Sequence, residues 1–317
     1  MAHIYVYSPS GAVIDRRSFH RGIKRLQALG HEVEVDPDAL ARFQRFAGDD
    51  ATRLAAITRA ARSGADVALI SRGGYGLTRL LPSMPWDAIC RAVDKGMHWV
   101  GFSDFTALQL GLLRGHPHAV TWAGPALCEG FGQLTGSDDA AGEQPDEVML
   151  ACFSDLMAGT GEGTGWQLPA SDRRALQGRP DLLAQHATLW GGNLAMIASL
   201  IGTPWLPSIR QGVLFLEDVG EHPYRIERML LHLLHAGILA QQQAVVLGQF
   251  TCYSKGAIDR GFSLATVVDH LRAHTQTPIL TNLPFGHVPT KVLLPVGAAT
   301  DLVIDKGEAL LLWGHLH

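Results

Sequence analysis

The chain has 317 residues, 47% hydrophobic and 18% charged, which excludes a disordered protein and allows about two domains with separate cores. The net charge is −4 and no block of lysine or arginine occurs, so we expect no nucleic-acid partner. No apolar stretch approaches the roughly 18 residues of a membrane helix, so we expect no membrane partner.

The N-terminus and the cysteines both indicate the compartment. The first residues lack the basic region and the long apolar segment of a signal peptide, and they fit a first buried strand instead. The four cysteines are scattered without the C-x-x-C spacing of a metal or redox motif. Isolated thiols are typical of a reducing environment, so we expect a cytoplasmic protein.

Short apolar runs alternate with helical segments in the first half of the chain. This order predicts a doubly wound, mostly parallel sheet with helices on both faces. Functional sites of such sheets form at the carboxyl ends of strands. The predicted strands are 4–7, 31–35, 66–71 and 100–102, and the predicted helices are 16–29, 50–63, 86–95 and 106–114.

A change of composition divides the chain. Beyond residue 130 Gly, Thr, Asp, Glu and Gln dominate, a possible helix covers 146–158, and the glycine-rich segment 159–165 is typical of a flexible connector. We therefore predict an N-terminal α/β domain, a linker, and a smaller C-terminal α/β domain with mixed β content. Their bounds are 1–150, 151–180 and 181–317.

The second half resumes the alternation of strands and helices. A hairpin is predicted at the C-terminal end, because Lys306-Gly307 interrupts an apolar stretch over 300–313. The predicted strands are 212–217, 244–250 and 278–283, and the predicted helices are 194–201, 224–236 and 264–274.

Ser103 stands where a buried strand gives way to a helix. A serine at such a junction is lifted out of the sheet on a tight turn, at the positive end of the following helix. This geometry is typical of a nucleophile elbow, in which nearby backbone N–H groups receive the oxyanion. The usual G-x-S-x-G pattern is half met, because Phe105 replaces the second glycine. A helix N-cap is the alternative interpretation.

Two further residues at strand ends could complete a catalytic group. Glu217 closes an apolar strand, although Asp218 or Glu221 could take its place, and His287 lies in a stiff loop with prolines and glycine. A serine nucleophile needs a base and an acid that orients the base. A solvated loop acid and a surface histidine are the alternative interpretations.

A glycine loop and two histidine pairs offer other chemistries. The loop Arg72-Gly73-Gly74-Tyr75-Gly76 follows a strand and predicts an anion cradle or a simple tight turn. The pairs His232/His235 and His270/His274 could share a helix face, but neither forms the H-E-x-x-H zinc motif. We expect no metal site and no other cofactor.

Six motifs in order carry a resemblance over nearly the whole chain. They are the loop Ser8-Pro9-Ser10-Gly11, the glycine loop with its preceding Ser71, and the segments 101–104, 191–194, 216–225 and 284–287. With these motifs the chain resembles the LD-carboxypeptidase family of serine peptidases, the muramoyltetrapeptide carboxypeptidases. The resemblance implies a triad of Ser103, Glu217 and His287, an oxyanion hole of the Gly74 and Asp104 backbone N–H groups, and a homodimer.

The same resemblance implies release of the terminal D-alanine from murein tetrapeptides in peptidoglycan recycling. The candidate substrate-binding residues are Arg72, Gly73, Tyr75, Trp190 and Arg225. Within the family, a microcin-C-type immunity peptidase acting on a peptidyl-nucleotide is the alternative, with Trp166 or Trp190 as its aromatic platform. A non-catalytic muropeptide-binding protein is the alternative from another class.

Overall fold

Strands and helices alternate along the chain and build two β-sheets. A computed structural model describes residues 1–134 and 145–316. The strands are β1 (His3–Tyr7), β2 (Glu32–Val35), β3 (Val67–Ile70), β4 (His98–Gly101), β5 (Thr121–Ala123), β6 (Gly163–Gln167), β7 (Leu182–Asn193), β8 (Val213–Val219), β9 (Ala244–Thr251), β10 (Ile279–Leu280), β11 (Leu294–Val296), β12 (Ala299–Asp305) and β13 (Glu308–Leu312).

Ten α-helices connect and cover these strands within the described residues. They are α1 (Arg16–Ala28), α2 (Asp50–Arg62), α3 (Leu77–Leu80), α4 (Trp86–Asp94), α5 (Thr106–Gly115), α6 (Glu147–Ala158), α7 (Ala170–Ala175), α8 (Leu194–Leu200), α9 (Pro223–His235) and α10 (Leu264–His274). No helix of this described part is long and apolar enough to cross a membrane.

The first sheet has the strand order β11-β5-β4-β3-β1-β2. Its five N-terminal strands are parallel, and β11 joins the edge antiparallel to β5. All four residues of β3 are buried, as expected for a strand with helices on both faces. The predicted doubly wound sheet is thereby confirmed.

The second sheet has the order β10-β9-β8-β7-β12-β13-β6. The first four of these strands are parallel, whereas β12, β13 and β6 are antiparallel to their neighbours. The predicted C-terminal hairpin is confirmed as β12 and β13, and the β content is mixed as predicted.

The segment 151–180, predicted as a linker, contains regular structure. It holds most of α6, all of β6 and all of α7. The predicted flexible connector over 159–165 is too long, since Gly163 already pairs with Leu312 in the second sheet. Glycine-rich strands at a sheet edge show no apolar alternation, so the pattern concealed β6. The domain bounds stay predictions.

The burial of helix α5 holds the preceding turn, which contains Ser103, in position. Its residues from Thr106 to Leu113 are all buried, because the helix packs against β7 and α8 as well as α3 and α4. A helix that is apolar all round belongs in a core. Ser103 lies just before α5, so its position is set by one of the most buried elements of the molecule.

Candidate active site

Ser103 adopts a strained backbone conformation at the end of β4. Its φ is +64°, in the left-handed region that costs a non-glycine residue about 1–2 kcal/mol. A short 3-10 turn from Ser103 to Phe105 follows and leads into α5. The serine is nearly buried, at 8% exposure. This is the backbone geometry expected of a nucleophile elbow.

The backbone of the glycine loop touches this serine. A Cβ added at Gly73 would lie 2.7 Å from Ser103 Cβ and 2.8 Å from its Oγ, so only glycine fits there. Gly74 follows with a φ of +113°, which also favours glycine. The loop therefore presents main-chain atoms, and no side chain, to the Ser103 hydroxyl.

Glu217 and His287 are hydrogen-bonded to each other. His287 Nδ1 donates to Glu217 Oε2 over 2.8 Å, and Glu217 is fully buried near the end of β8. This bond assigns the proton to Nδ1 and leaves Nε2 as the basic nitrogen. Burial by itself lowers the pKa of His287, but the hydrogen bond and charge of Glu217 outweigh it and raise this pKa above 6.5.

His287 also packs beside the nucleophile turn. Its ring centroid lies 4.7 Å from that of Phe102, the residue directly before Ser103. Ser103, Glu217 and His287 are far apart in sequence, and the fold brings the hydrogen-bonded pair of Glu217 and His287 to the residue that directly precedes Ser103. Such a set can abstract a hydroxyl proton and stabilise the resulting imidazolium.

Asn193, which was not among the predicted site residues, connects this group to α5. Its Nδ2 donates to Glu217 Oε1 over 3.2 Å and to Asp218 Oδ1 over 3.0 Å. Its backbone N–H donates to Thr106 Oγ1 over 3.0 Å. Burial raises the pKa of Asp218 to about 6. Asn193 therefore bridges the Glu217 carboxylate and the helix that follows the serine.

The sequence signal that could have identified Asn193 is the pair of glycines directly before it. A Cβ at Gly191 would collide with Phe215, and one at Gly192 with Thr106. Both glycines have a positive φ, at +141° and +128°. Two adjacent glycines at a strand end indicate a close backbone approach, and the residue after them enters the site.

A cleft of about 380 Å³ opens beside His287. Its charged lining residues are acidic and basic in equal number. The described residues that line it are Asp15, Ser18, Arg21, Phe102, Cys128, Glu129, Gly132, Gln133, Leu134, His287, Val288 and Lys291.

Lys291 is a buried cation in the wall of this cleft, and it was not among the predicted site residues. Its side chain is 1% exposed, and Nζ donates to the Glu129 carbonyl over 3.0 Å. The ammonium also lies 4.9 Å from the centroid of the Phe102 ring. Burial lowers the pKa of Lys291 to about 8.

The predicted substrate-binding residues on the glycine loop lie near the site. Arg72 donates to the Ala12 carbonyl over 3.1 Å and lies 3.5 Å from the Glu129 carboxylate, which lines the cleft. Gly73 contacts Ser103, as described above. Tyr75 is 40% exposed and packs against Phe46.

Two other predicted substrate-binding residues lie elsewhere. Trp190 is a core residue, 1% exposed, with its indole N–H donating to Gln242 over 2.9 Å. Arg225 is half exposed, pairs with Glu221 at 3.6 Å, and is not among the described residues that line the cleft. Trp166 is also in the core, where its indole N–H donates to the Thr281 carbonyl.

The histidine pairs form no metal-binding cluster in the part of the chain that the structure describes. No group of three or more His, Cys, Asp or Glu side chains there is arranged to hold an ion. His274 instead bonds the backbone carbonyl of His270 over 2.7 Å, and the two rings pack together.

Both halves of the chain match family models. Residues 4–124 match the LD-carboxypeptidase N-terminal domain, and residues 186–302 match the LD-carboxypeptidase C-terminal domain. A putative carboxypeptidase of Synechocystis sp. is 30% identical over 95% of this chain and 91% of its own. The murein tetrapeptide carboxypeptidase of Pseudomonas aeruginosa is 28% identical over 88% and 86%.

Solved structures agree with these matches. The muramoyltetrapeptide carboxypeptidase of Oxalobacter formigenes is 36% identical, with a TM-score of 0.81 over 98% of this chain and 97% of its own. The microcin C7 self-immunity protein, in complex with aspartyl sulfamoyl adenosine, shares the fold at 21% identity, with a TM-score of 0.82 over 99% and 97%. The chain belongs to the LD-carboxypeptidase family and is a peptidase.

Proposed function

We propose that this peptidase is a serine LD-carboxypeptidase that releases the terminal D-alanine of murein tetrapeptides. The observation that carries the proposal is the His287–Glu217 hydrogen bond next to Phe102, the residue before a serine that is held at positive φ against the backbone of Gly73. The names of relatives that act on murein peptides support the substrate class.

In the proposed mechanism, His287 Nε2 takes the proton of Ser103 while Oγ attacks the carbonyl carbon before D-alanine. Glu217 holds the imidazole in the tautomer with a proton on Nδ1 and stabilises the imidazolium. The backbone N–H groups of Gly74 and Asp104 receive the oxyanion. The imidazolium then protonates the leaving amine, and D-alanine departs. In the second half of the reaction His287 takes a proton from water, the water attacks the acyl-enzyme ester, and His287 returns the proton to Ser103 Oγ.

A carboxypeptidase also needs a cation for the free carboxylate of its substrate. Lys291 lines the cleft beside His287, and Arg72 lies next to Glu129 in the same wall. We propose these two cations for that role and keep Gly73 and Tyr75, on the same loop as Arg72, as substrate contacts. We assign no such role to Trp190, which is buried in the core, or to Arg225, which is not among the described residues that line the cleft.

The test is Ser103→Ala, assayed by mass spectrometry of the products from purified murein tetrapeptide. We expect the loss of one alanine in the wild type, and a rate at least 10³-fold lower in the variant, because no other group supplies the nucleophile. Ser199→Ala, which removes an exposed hydroxyl at the end of α8, is the control and should keep full activity. Undiminished release by Ser103→Ala would refute the proposal.

The rival functions give different results in related assays. A microcin-type peptidase would cleave a peptidyl-nucleotide in preference to the tetrapeptide, although the core positions of Trp166 and Trp190 speak against an aromatic platform built from them. A non-catalytic binding protein would not react with a fluorophosphonate at Ser103. A metallohydrolase would lose activity to a chelator.

The proposal includes a role in peptidoglycan recycling in the cytoplasm and assembly as a homodimer, both implied by the family resemblance. Cell fractionation tests the location, and analytical ultracentrifugation tests the assembly. A monomer at micromolar concentration would contradict the dimer without affecting the proposed chemistry.

A further inference from the structure

The side chain of Asp104 joins three segments around the nucleophile turn. Its Oδ2 accepts hydrogen bonds from the Leu77 backbone N–H over 2.9 Å and from the Ser10 hydroxyl. Leu77 begins α3 directly after the glycine loop, and Ser10 lies in the loop that follows β1. The carboxyl is 1% exposed. Asp104, which directly follows Ser103, therefore connects both loops to the nucleophile turn.

A backbone hydrogen bond orients the peptide that carries the Gly74 N–H. Gly11 N–H donates to the Gly73 carbonyl over 3.1 Å. Because a trans peptide is planar, the Gly74 N–H points opposite to that carbonyl and so away from Gly11. A Cβ at Gly11 would lie only 3.0 Å from the same oxygen. The loop carrying Ser10 and Gly11 thus determines the direction of this N–H.

Fold stability alone does not explain Asp104. Its second oxygen, Oδ1, has no hydrogen-bond partner among the described residues, and burial raises the pKa of the carboxyl against the opposing bonds from Ser10 and Leu77. A buried carboxyl with an unpaired oxygen costs free energy. The fully buried Arg53 donates to the Pro9 carbonyl over 3.3 Å and so holds the residue next to Ser10.

We propose that Ser10 and Asp104 are positioning residues for the oxyanion hole. Asp104 supplies one oxyanion donor from its own backbone, and its side chain, with Ser10, holds the glycine loop that supplies the other from Gly74. This inference rests on the proposed function. Oxyanion donors are effective because they are prearranged, and a displacement of about 1 Å can cost on the order of 100-fold in rate.

The test uses the full chain with Ser10→Ala and, separately, Asp104→Asn. We expect kcat for D-alanine release to fall roughly 10- to 100-fold in each variant while KM changes less than about twofold, since the oxyanion exists only in the transition state. The affinity of a tripeptide aldehyde, which forms a tetrahedral adduct, should fall by the same factor as kcat/KM.

Ser8→Ala is the matched control in the same loop. The Ser8 hydroxyl is equally buried, but it bonds the Ala39 carbonyl and the Ser71 hydroxyl, both at 2.6 Å, and does not contact Asp104. A merely structural role predicts the same thermal destabilisation and the same kcat for both serine variants. Our proposal predicts that Ser8→Ala loses thermal stability and keeps kcat within about twofold.

Ser103→Ala, assayed alongside, separates this inference from the proposed function. If Ser103→Ala still releases D-alanine, the proposed function itself fails. If Ser103→Ala is inactive while Ser10→Ala and Asp104→Asn keep the wild-type kcat, only the positioning role is overturned. An equal loss of kcat in Ser8→Ala overturns it as well. Should Ser10→Ala not fold, Asp104→Asn decides the outcome.

Discussion

Ser103 combines backbone strain with an unusually close neighbour. Its φ is positive, and its side chain lies so near Gly73 that a Cβ added there would be 2.7 Å from Ser103 Cβ. The strain is retained because α5 is buried along nearly its whole length and cannot shift to relieve it. Position 73 therefore requires glycine for a steric reason, because any side chain there would collide with Ser103.

Gly73→Ala tests that steric requirement. The added methyl group would lie 2.7 Å from Ser103 Cβ, so we expect the hydroxyl to be displaced and kcat/KM to fall at least about tenfold. Steady-state kinetics and a thermal melt measure the two effects. Gly115→Ala is the control, because no atom lies within 4 Å of a Cβ there. Full activity in Gly73→Ala would contradict the contact.

Glu217 determines the protonation of His287. Since the base must be neutral, activity should be lost as pH falls through the raised pKa of His287. In Glu217→Gln the hydrogen bond and charge that raise this pKa are gone, while burial still lowers it. We expect the pKa to drop below 6.5 and kcat to fall roughly 10³- to 10⁴-fold, as for other triads without their acid.

Two-dimensional NMR of the imidazole ring measures that pKa, with His287→Asn identifying the signal. The acid limb of kcat/KM in the wild type should coincide with the NMR value. An unchanged or raised pKa in Glu217→Gln would contradict the assigned role of the carboxylate.

A buried ion pair between Asp172 and Arg272 joins helix α7 to helix α10. Asp172 has no exposed surface, and its Oδ1 accepts from Arg272 of α10 over 2.7 Å. Its Oδ2 accepts from the backbone N–H and the hydroxyl of Thr281, just after β10. One carboxylate thus joins the segment predicted as a linker to a helix and a strand of the second sheet.

Arg272→Met should therefore destabilise the protein strongly. Removing the guanidinium leaves a buried, uncompensated carboxylate, which costs about 3–5 kcal/mol. Urea unfolding measures the change, and kcat of the folded enzyme should stay unaltered. Arg62→Met, at the exposed end of α2, is the control and should change stability by less than about 0.5 kcal/mol. A loss below 1 kcal/mol in Arg272→Met would contradict the assigned burial.

Both sheets contribute side chains to one buried hydrophobic core. A single cluster of buried side chains includes Trp99 and Leu112 from the first half with Trp190 and Phe285 from the second. The chain also returns after His287 to place β11 on the edge of the first sheet. The first sheet is therefore incomplete without β11, which comes from the second half of the chain.

We expect the two sheets to unfold together. Hydrogen exchange at increasing urea, followed by mass spectrometry, should give the same midpoint for peptides from β3 and β4 as for peptides from β8 and β9. The reason is that exposing either sheet exposes the shared core. Two separate midpoints would show that the halves unfold independently.

The resemblance to a family, and no local pattern, singled out Glu217 and His287 as partners of Ser103. The order of most strands and helices, and the position of Ser103 between β4 and α5, could be predicted from the sequence. Local patterns suffice for these, because apolar periodicity reports burial of a whole element and glycines report tight turns. Strands β5, β6, β7 and β11 escaped prediction. Three to five residues carry too little periodicity in β5, β6 and β11, and the buried residues of the longer β7 do not alternate with exposed ones.

Which charged and aromatic side chains reach the cleft could be seen only from the folded chain. Lys291 lines its wall, whereas Trp190 lies in the core and Arg225 pairs with Glu221 outside it. The hydrogen bonds of Asp104 likewise join residues up to 94 positions apart. Burial and pairing of this kind depend on neighbours that are distant along the chain, and no local pattern records them.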